Sequence, residues 1–156
     1  MTAFSPEILR GEDAACPLPP TAAPLPSTVL ERIRAARILI VEDEPSVAIA
    51  LSEMFRVGFG CEVDWAVNGL SAFERLSQQA YGLVLSDVRM PEMSGTELYL
   101  WICEAQPGMA KRFIFVTAHA EDRHFETKLV EWGVPILAKP FTLSDLLAVC
   151  RRTLAD

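Results

Sequence analysis

Short apolar runs alternate with segments of helical periodicity five times between residues 37 and 154, and this alternation restricts the fold more than any other feature of the chain. Runs this short suit buried strands, and the apolar residues that follow each run recur at the spacing of a helix face. The predicted strands are residues 37–41, 61–67, 81–86, 112–116 and 136–138, and the predicted helices are residues 45–58, 70–79, 96–105, 121–131 and 142–154.

Five consecutive strand-helix units imply right-handed crossovers, a parallel sheet and helices on both of its faces. The expected fold is therefore α/β, a flavodoxin-like doubly wound sheet of five parallel strands in the order 2-1-3-4-5, with five helices. In that order the switch point, where ligands bind, lies between strands one and three. Side chains that end those two strands should meet across one crevice.

The remaining residues divide the chain into an extension and a domain. Residues 1–36 are predicted to form a Pro-rich arm that ends in a short linker helix at 29–36, and residues 37–156 the globular domain. A chain of 156 residues, of which 51% are hydrophobic, has enough core for one such domain.

Charge and hydropathy exclude several classes of function. The formal net charge is −7 and the cations are scattered, which argues against nucleic-acid binding. No apolar run approaches membrane-spanning length and the first ten residues lack a secretory pattern, so we expect a cytoplasmic protein without a membrane segment. The four cysteines are far apart and lack the spacing of a zinc site, so we expect free thiols.

The stretch from residue 81 to residue 95 holds an acid in a fixed place. Its apolar run stops at Asp87, Pro91 prevents immediate helix continuation, and Ser94 with Glu97 has the pattern of a capping box that starts the next helix. Asp87 is therefore predicted to lie at the carboxyl end of strand three, on a short loop between strand and helix.

Polar residues follow the predicted strands one, three, four and five at their carboxyl ends. They are Glu42, Asp43, Asp87, Thr117 and Lys139. Clustered carboxylates repel one another unless a cation neutralises them, and a set of oxygen ligands suits Mg²⁺. With that ion present, one carboxylate can attack a phosphoryl group, while a lysine and a hydroxyl stabilise the transferred oxygens. The pattern predicts an aspartyl-phosphate site.

Four motifs carry a resemblance to a known family. They are Val41-Glu42-Asp43-Glu44, Ser86-Asp87-x-x-Met90-Pro91-x-Met93-x-Gly95, Val116-Thr117-Ala118 and Lys139-Pro140-Phe141. Together, and in this order, they resemble the receiver domain of two-component response regulators, over about residues 37–154. On this resemblance, residues 37–156 are the receiver domain.

The resemblance implies a role for each matching residue. Asp87 is the expected phosphoacceptor, and Asp43 and Asp87 are expected to ligate Mg²⁺ directly, with the Arg89 carbonyl as a third ligand and Glu42 acting largely through water. Thr117 matches the switch hydroxyl and Lys139 the family's lysine. Ala118 matches the small residue beside the phosphoryl path.

Three positions are expected to modulate the signal. Receivers often carry Tyr or Phe three residues before the lysine, and Ile136 occupies that position here. We therefore expect output through a repacked surface of the fourth helix and fifth strand, visible as amide shifts over residues 121–141 on phosphorylation. Arg89 and His119, two residues beyond Asp87 and Thr117, are bulky enough to slow access of hydrolytic water; a loop role for His119 stays open.

The leading interpretation is a signalling switch, and not an enzyme with an external substrate. A histidine kinase or phosphotransfer protein would phosphorylate Asp87, and the altered surface would bind a downstream protein or a second copy of the chain. No output domain is expected after residue 141, which leaves a stand-alone receiver or the receiver of a hybrid kinase. The alternatives are a pseudo-receiver that only binds proteins and, less favoured because Arg89 replaces a second acid, an aspartyl-phosphate phosphatase.

Overall fold

Five parallel strands form a single sheet in the order 2-1-3-4-5. A computed structural model describes residues 29–118 and 123–154 of the protein. The strands are β1 (Arg37–Val41), β2 (Glu62–Ala66), β3 (Leu83–Asp87), β4 (Phe113–Thr117) and β5 (Ile136–Ala138). The order confirms the predicted flavodoxin-like sheet, and each observed strand lies within one residue of the predicted bounds or inside them.

Helices cover both faces of this sheet. Their bounds are α1 (Val29–Ala35), α2 (Pro45–Glu53), α3 (Gly69–Gln78), α4 (Gly95–Ala105), α5 (Pro107–Ala110), α6 (Arg123–Trp132) and α7 (Leu143–Thr153). Five of them follow strands as predicted, α1 corresponds to the predicted linker helix, and the four-residue α5 was not predicted.

Side-chain caps fix where the helices after β2, β3 and β5 begin. Asn68 accepts a hydrogen bond from the Ser71 amide at the start of α3. Ser94 and Thr142 each form a complete capping box, with Glu97 and Asp145 respectively. Each cap satisfies amide groups that would otherwise lack a partner in the first turn, so the chain leaves the sheet at a defined residue.

The second helix does not run to residue 58 as a single α-helix. It ends at Glu53 and continues as a π-helical segment, Met54–Phe59, which closes at Gly60 with a left-handed φ of 77°. In this segment Gly58 faces Leu143 of α7, and a Cβ built on Gly58 would lie 3.4 Å from a Leu143 methyl carbon. The π-helical segment thus lies next to the start of α7.

Alternate residues of the strands supply two separate cores. On one face Ile38, Ile40 and Leu85 pack with residues of α1, α2 and α7. On the other face Leu39 and Phe115 pack with residues of α3, α4 and α6. Because every central strand is buried on both faces, the strands read as nearly continuous apolar runs.

The first helix is packed into the domain. Ile33 is fully buried in the core that α2 and α7 share, and its carbonyl accepts a hydrogen bond from the Cys61 thiol at 3.0 Å. Arg34 donates to the Phe59 carbonyl at 3.2 Å, and Arg32 donates to the Leu154 carbonyl. Helix α1 therefore ties the π-helical segment to the end of α7. The predicted arm before it, residues 1–28, lies outside the described residues.

The described cysteines, Cys61, Cys103 and Cys150, are free thiols. Burial raises the pKa of Cys61 to about 11 and that of Cys150 to about 12. Both are therefore protonated and unreactive at neutral pH. Among the described helices, none combines the length and the apolar character needed to cross a membrane.

Candidate functional site

The polar residues singled out in the sequence meet at the carboxyl edge of the sheet. Asp87 is the last residue of β3 and Thr117 the last residue of β4, while Glu42 and Lys139 each follow directly after β1 and β5. The strand registers bring these ends level, because Val41 pairs with Ser86, Asp87 with Val116, and Thr117 with Ala138.

Three carboxylates form the centre of the site. Oxygen atoms of Glu42, Asp43 and Asp87 all lie within 4.8 Å of one another. The Glu42 side chain is only 1% exposed, the Asp87 side chain 15%, and Asp43 is exposed. Exposure to solvent therefore increases across the cluster from Glu42 through Asp87 to Asp43.

A single lysine bridges two of these acids. The Lys139 Nζ atom lies 3.1 Å from Glu42 Oε1 and 3.4 Å from Asp87 Oδ2. Burial by itself would lower the pKa of Lys139, but the charges and hydrogen bonds of Asp87 and Glu42 outweigh it and raise that pKa above the ordinary value. Lys139 is therefore a fixed positive charge at neutral pH.

Glu42 is the acid whose protonation is most altered. Burial is the largest cause, and the nearby Asp87 adds to it, so that the pKa of Glu42 rises to about 7. The hydrogen bond from Lys139 acts in the opposite direction. Two acids in one partly buried site cannot both ionise freely with only one lysine to neutralise them, which leaves the site short of positive charge.

Asp87 is oriented by its own loop. Its Oδ1 accepts a hydrogen bond from the Val88 amide at 2.7 Å, and its carbonyl accepts one from the Ser86 hydroxyl at 2.8 Å. The Gly95 amide donates to the Val88 carbonyl at 2.9 Å, so the start of α4 holds the loop against the strand end. The loop therefore presents the carboxylate in one orientation.

Trp65 also belongs to the site, although none of the four sequence motifs includes it. Its indole Nε1 donates to the Glu42 main-chain carbonyl at 2.7 Å. The only signal in the sequence is its place near the end of strand two, beside the acidic end of strand one. That signal becomes usable once the pairing of Ile40 with Trp65 and of Val41 with Ala66 is known.

The other residues that were singled out differ in burial. Thr117 is buried, with 1% of its surface exposed, whereas Ala118 and Arg89 are exposed. Ile136 pairs with Phe115 in the sheet and is half-buried. His119 lies outside the described residues. The structure thus brings together Glu42, Asp43, Asp87 and Lys139, and places Thr117 at the same edge.

The donor set fits Mg²⁺. It consists of carboxylate oxygens alone, one of them solvent-facing, and it contains more negative charge than Lys139 neutralises. Mg²⁺ favours one or two carboxylates with several waters, which matches an open site on Asp43 and Asp87. A carbonyl ligand from Arg89 remains a prediction from the resemblance.

Comparison with known proteins places these features in a family. The family model for the response regulator receiver domain matches residues 38–151. The response regulator receiver protein CpdR of Brucella abortus is 33% identical over 111 residues, which cover 71% of this chain and 90% of CpdR. The transcription factor SKN7 of Candida albicans is 33% identical over 138 residues, but the match spans 88% of this chain and only 24% of SKN7.

A solved structure agrees with these relatives. The response regulator TrrA of Thermotoga maritima, crystallised in complex with Mg²⁺ and a beryllium fluoride, has 30% sequence identity and a TM-score of 0.66. The similarity covers 76% of this chain and 98% of TrrA. With its sheet order, its edge of acids and lysine and these matches, the chain belongs to the receiver domain family of two-component response regulators.

Proposed function

We propose that this chain is a phosphorylation-controlled switch in which Asp87 accepts a phosphoryl group from a phosphohistidine in a Mg²⁺-dependent reaction. The observation that carries the proposal is the position of Lys139 Nζ between Glu42 and Asp87, with Asp43 close enough to share a cation with Asp87. The donor is a histidine kinase or a phosphotransfer protein, and the reaction takes place in the cytoplasm.

The residues around Asp87 have distinct tasks in this reaction. An oxygen of Asp87 forms the new bond to phosphorus as the phosphorus–nitrogen bond of phosphohistidine breaks, and the electron pair of that bond returns to the imidazole. The Val88 amide keeps the carboxylate oriented, and Lys139 offsets charge on the transferred oxygens. The Thr117 hydroxyl donates to a phosphoryl oxygen. Bound Mg²⁺ supplies positive charge for the transferred group.

The chain does not turn over an external substrate in this proposal. Its chemistry is limited to phosphorylation of Asp87 and later hydrolysis of the acyl phosphate. The exposed side chain of Arg89 slows that hydrolysis by limiting access of water, and His119 is proposed to act in the same way. The phosphorylated surface then binds a downstream protein or a second copy of the chain. The homodimer is tested by measuring the mass in solution with and without beryllium fluoride and Mg²⁺. If the phosphorylated form dimerises, the mass doubles only when both are present.

The decisive experiment uses a small phosphodonor. Incubation with acetyl phosphate and Mg²⁺ should add the mass of one phosphoryl group in a base-labile bond, and Asp87→Asn should abolish the gain. Asp64→Asn is the matched control. Asp64 lies on β2, where it pairs with Arg37 of β1 and not with the residues of the site, so this variant should be phosphorylated like the wild type.

Two other outcomes would replace the proposal. If no mass is gained while the protein is folded, the chain is a pseudo-receiver that acts only by binding proteins. If phosphoesters are instead hydrolysed at a steady rate that depends on Asp87, the chain is an aspartyl-phosphate phosphatase.

A further inference from the structure

We propose that Trp65 is a positioning residue for the metal site, acting through the main chain of Glu42. The inference rests on the proposed function, because it concerns the affinity for Mg²⁺ at that site. Its basis is the 2.7 Å hydrogen bond from the indole Nε1 of Trp65 to the Glu42 carbonyl oxygen.

The indole takes the place of a missing main-chain donor. In a parallel ladder, a residue donates its amide to one residue of the neighbouring strand and accepts at its carbonyl from the residue two further on. The Glu42 amide follows this pattern and donates to the Ala66 carbonyl at 3.0 Å. The next donor in the ladder would be the Asn68 amide, but β2 ends at Ala66 and Asn68 already begins the turn into α3. Trp65 supplies an N–H group to that carbonyl from within β2.

The result is that strand β2 holds the Glu42 residue from both ends of its main chain. The Ala66 carbonyl fixes the amide and the Trp65 indole fixes the carbonyl. The Glu42 side chain is also held in place. Its Oε1 accepts a hydrogen bond from Lys139 Nζ, and its Oε2 accepts one from the Glu44 amide at 3.3 Å. Asp43, the next residue, is exposed and depends on this anchor for the position of its carboxylate.

The two other tryptophans have different surroundings. Trp101 meets the ring of Phe73 edge-on, with a centroid distance of 4.5 Å, and Trp132 stacks on Tyr99 at 5.3 Å. Like Trp65 they are half-buried and pack against a core. They therefore control for the loss of ring volume when a tryptophan is replaced by phenylalanine.

The test compares Trp65→Phe with Trp101→Phe. Phenylalanine keeps an aromatic ring at residue 65 but has no N–H donor. The Glu42 carbonyl then loses its hydrogen bond, and the main chain that carries the Asp43 carboxylate is no longer held in place. Trp65→Phe should raise the Mg²⁺ dissociation constant about 10-fold, the low end of the usual range for residues that orient a metal ligand. At saturating Mg²⁺ its phosphorylation rate by acetyl phosphate should return to within about 2-fold of wild type, and Trp101→Phe should match wild type throughout.

An amide spectrum without metal provides a second measurement. In EDTA, the amide signals of Glu42, Asp43 and Glu44 should move in Trp65→Phe and stay in place in Trp101→Phe. If those signals do not move, or if Trp65→Phe binds Mg²⁺ as tightly as wild type, Trp65 does not position the site. If wild type itself binds no Mg²⁺, the proposed function fails, and the metal-free spectra alone decide whether Trp65 positions the acidic loop.

The wild-type protein keeps the inference testable if Trp65→Phe does not fold. The side-chain N–H signal of Trp65 should exchange slowly with solvent and should move during a Mg²⁺ titration with the same midpoint as the Asp43 amide. The corresponding signals of Trp101 and Trp132 should not move. Rapid exchange of the Trp65 N–H group, or a signal insensitive to Mg²⁺, would overturn the inference.

Discussion

Glu42 is deeply buried although its carboxylate belongs to the acidic cluster of the site. Its carboxylate is 1% exposed, and its pKa of about 7 means that it is partly protonated at neutral pH. Burial, the principal cause, disfavours the ionised form, and Asp87 adds repulsion to it. The metal-free protein therefore carries an unfavourable charge whenever Glu42 is ionised, and Lys139 offsets only part of it.

This raised pKa makes stability depend on pH. Because the folded-state pKa lies above the unfolded value, the contribution of Glu42 is fully present below about pH 4.5 and is lost as the pH rises through about 7. Urea unfolding in EDTA should give a free energy of unfolding that falls by roughly 1–3 kcal/mol across this window.

Glu42→Gln isolates the effect, because it keeps the shape of the side chain and removes the titration. The variant should lack this part of the pH dependence and should be more stable than wild type at pH 8 without metal. Parallel stability profiles for the two proteins between pH 4.5 and 8 would contradict the assignment.

At the scale of elements, the junction between β3 and α4 holds the loop of Asp87 with very little space. A Cβ built on Gly95 would lie 2.0 Å from the Asp87 carbonyl oxygen and 2.9 Å from Ser86 Oγ. The first of these neighbours is main chain and cannot rotate away. Helix α4 can therefore start where it does only with glycine at residue 95.

Gly95→Ala should separate the helix start from the strand end. We expect a loss of about 3 kcal/mol in the free energy of unfolding, the upper range for overpacking, together with weaker phosphorylation of Asp87. Gly108→Ala in α5 is the matched control, since a Cβ there meets nothing within 4 Å, and it should be neutral or slightly stabilising. Equal stability of the two variants, measured by urea unfolding, would show that the junction is not tight.

The neighbourhood of Ile136 suggests how a signal could reach α6 without an aromatic residue at that position. Ile136 pairs with Phe115, whose ring lies 5.9 Å from that of Tyr99, and Tyr99 stacks on Trp132 at the end of α6. Thr117 lies two residues beyond Phe115 on β4. A shift of this strand end would change how the rings of Phe115, Tyr99 and Trp132 pack against one another.

We therefore expect the side-chain N–H signal of Trp132 to move when beryllium fluoride and Mg²⁺ are added, along with the amides of residues 121–141. Trp101 is an internal control, because it lies on α4 with its ring against Phe73 of α3, and its signal should move less. A Trp132 signal that stays in place while the site is saturated would show that the signal leaves by another route.

At the scale of the whole molecule, the sheet could be predicted because its strands are buried on both faces. Their apolar runs, separated by helical periods, specify the strands and a doubly wound parallel sheet, the flavodoxin type supplies the expected order, and the acids follow at the strand ends. Features that depend on contacts between distant segments could not be predicted. The contact between the π-helical segment and α7, where Gly58 faces Leu143, joins residues far apart in sequence, and the role of Trp65 depends on the register between β1 and β2.

Helix α1 is a further feature of this kind, because a short helix after a Pro-rich stretch looks the same in sequence whether or not it packs. Its position is at the edge of the sheet opposite the acids. A cleft of about 590 Å³ there is lined by Arg32 and Ala36, by Gly82 just before β3, by Arg112 just before β4, and by Leu154. Helix α1 is thus well placed to contribute to stability without touching the phosphoryl site.

Ile33→Ala tests this division between stability and function. Ile33 is fully buried among residues of α2, β2 and α7, so its truncation should cost about 2–4 kcal/mol in the free energy of unfolding. Val57→Ala is the control, since Val57 is 85% exposed and its truncation should change stability by less than about 0.5 kcal/mol. Under conditions where both variants are folded, their Mg²⁺ affinities should equal that of wild type, because the carboxyl edge of the sheet is unchanged. If Ile33→Ala were as stable as wild type, α1 would be a linker after all; if it lost Mg²⁺ affinity while folded, the two edges of the sheet would be coupled.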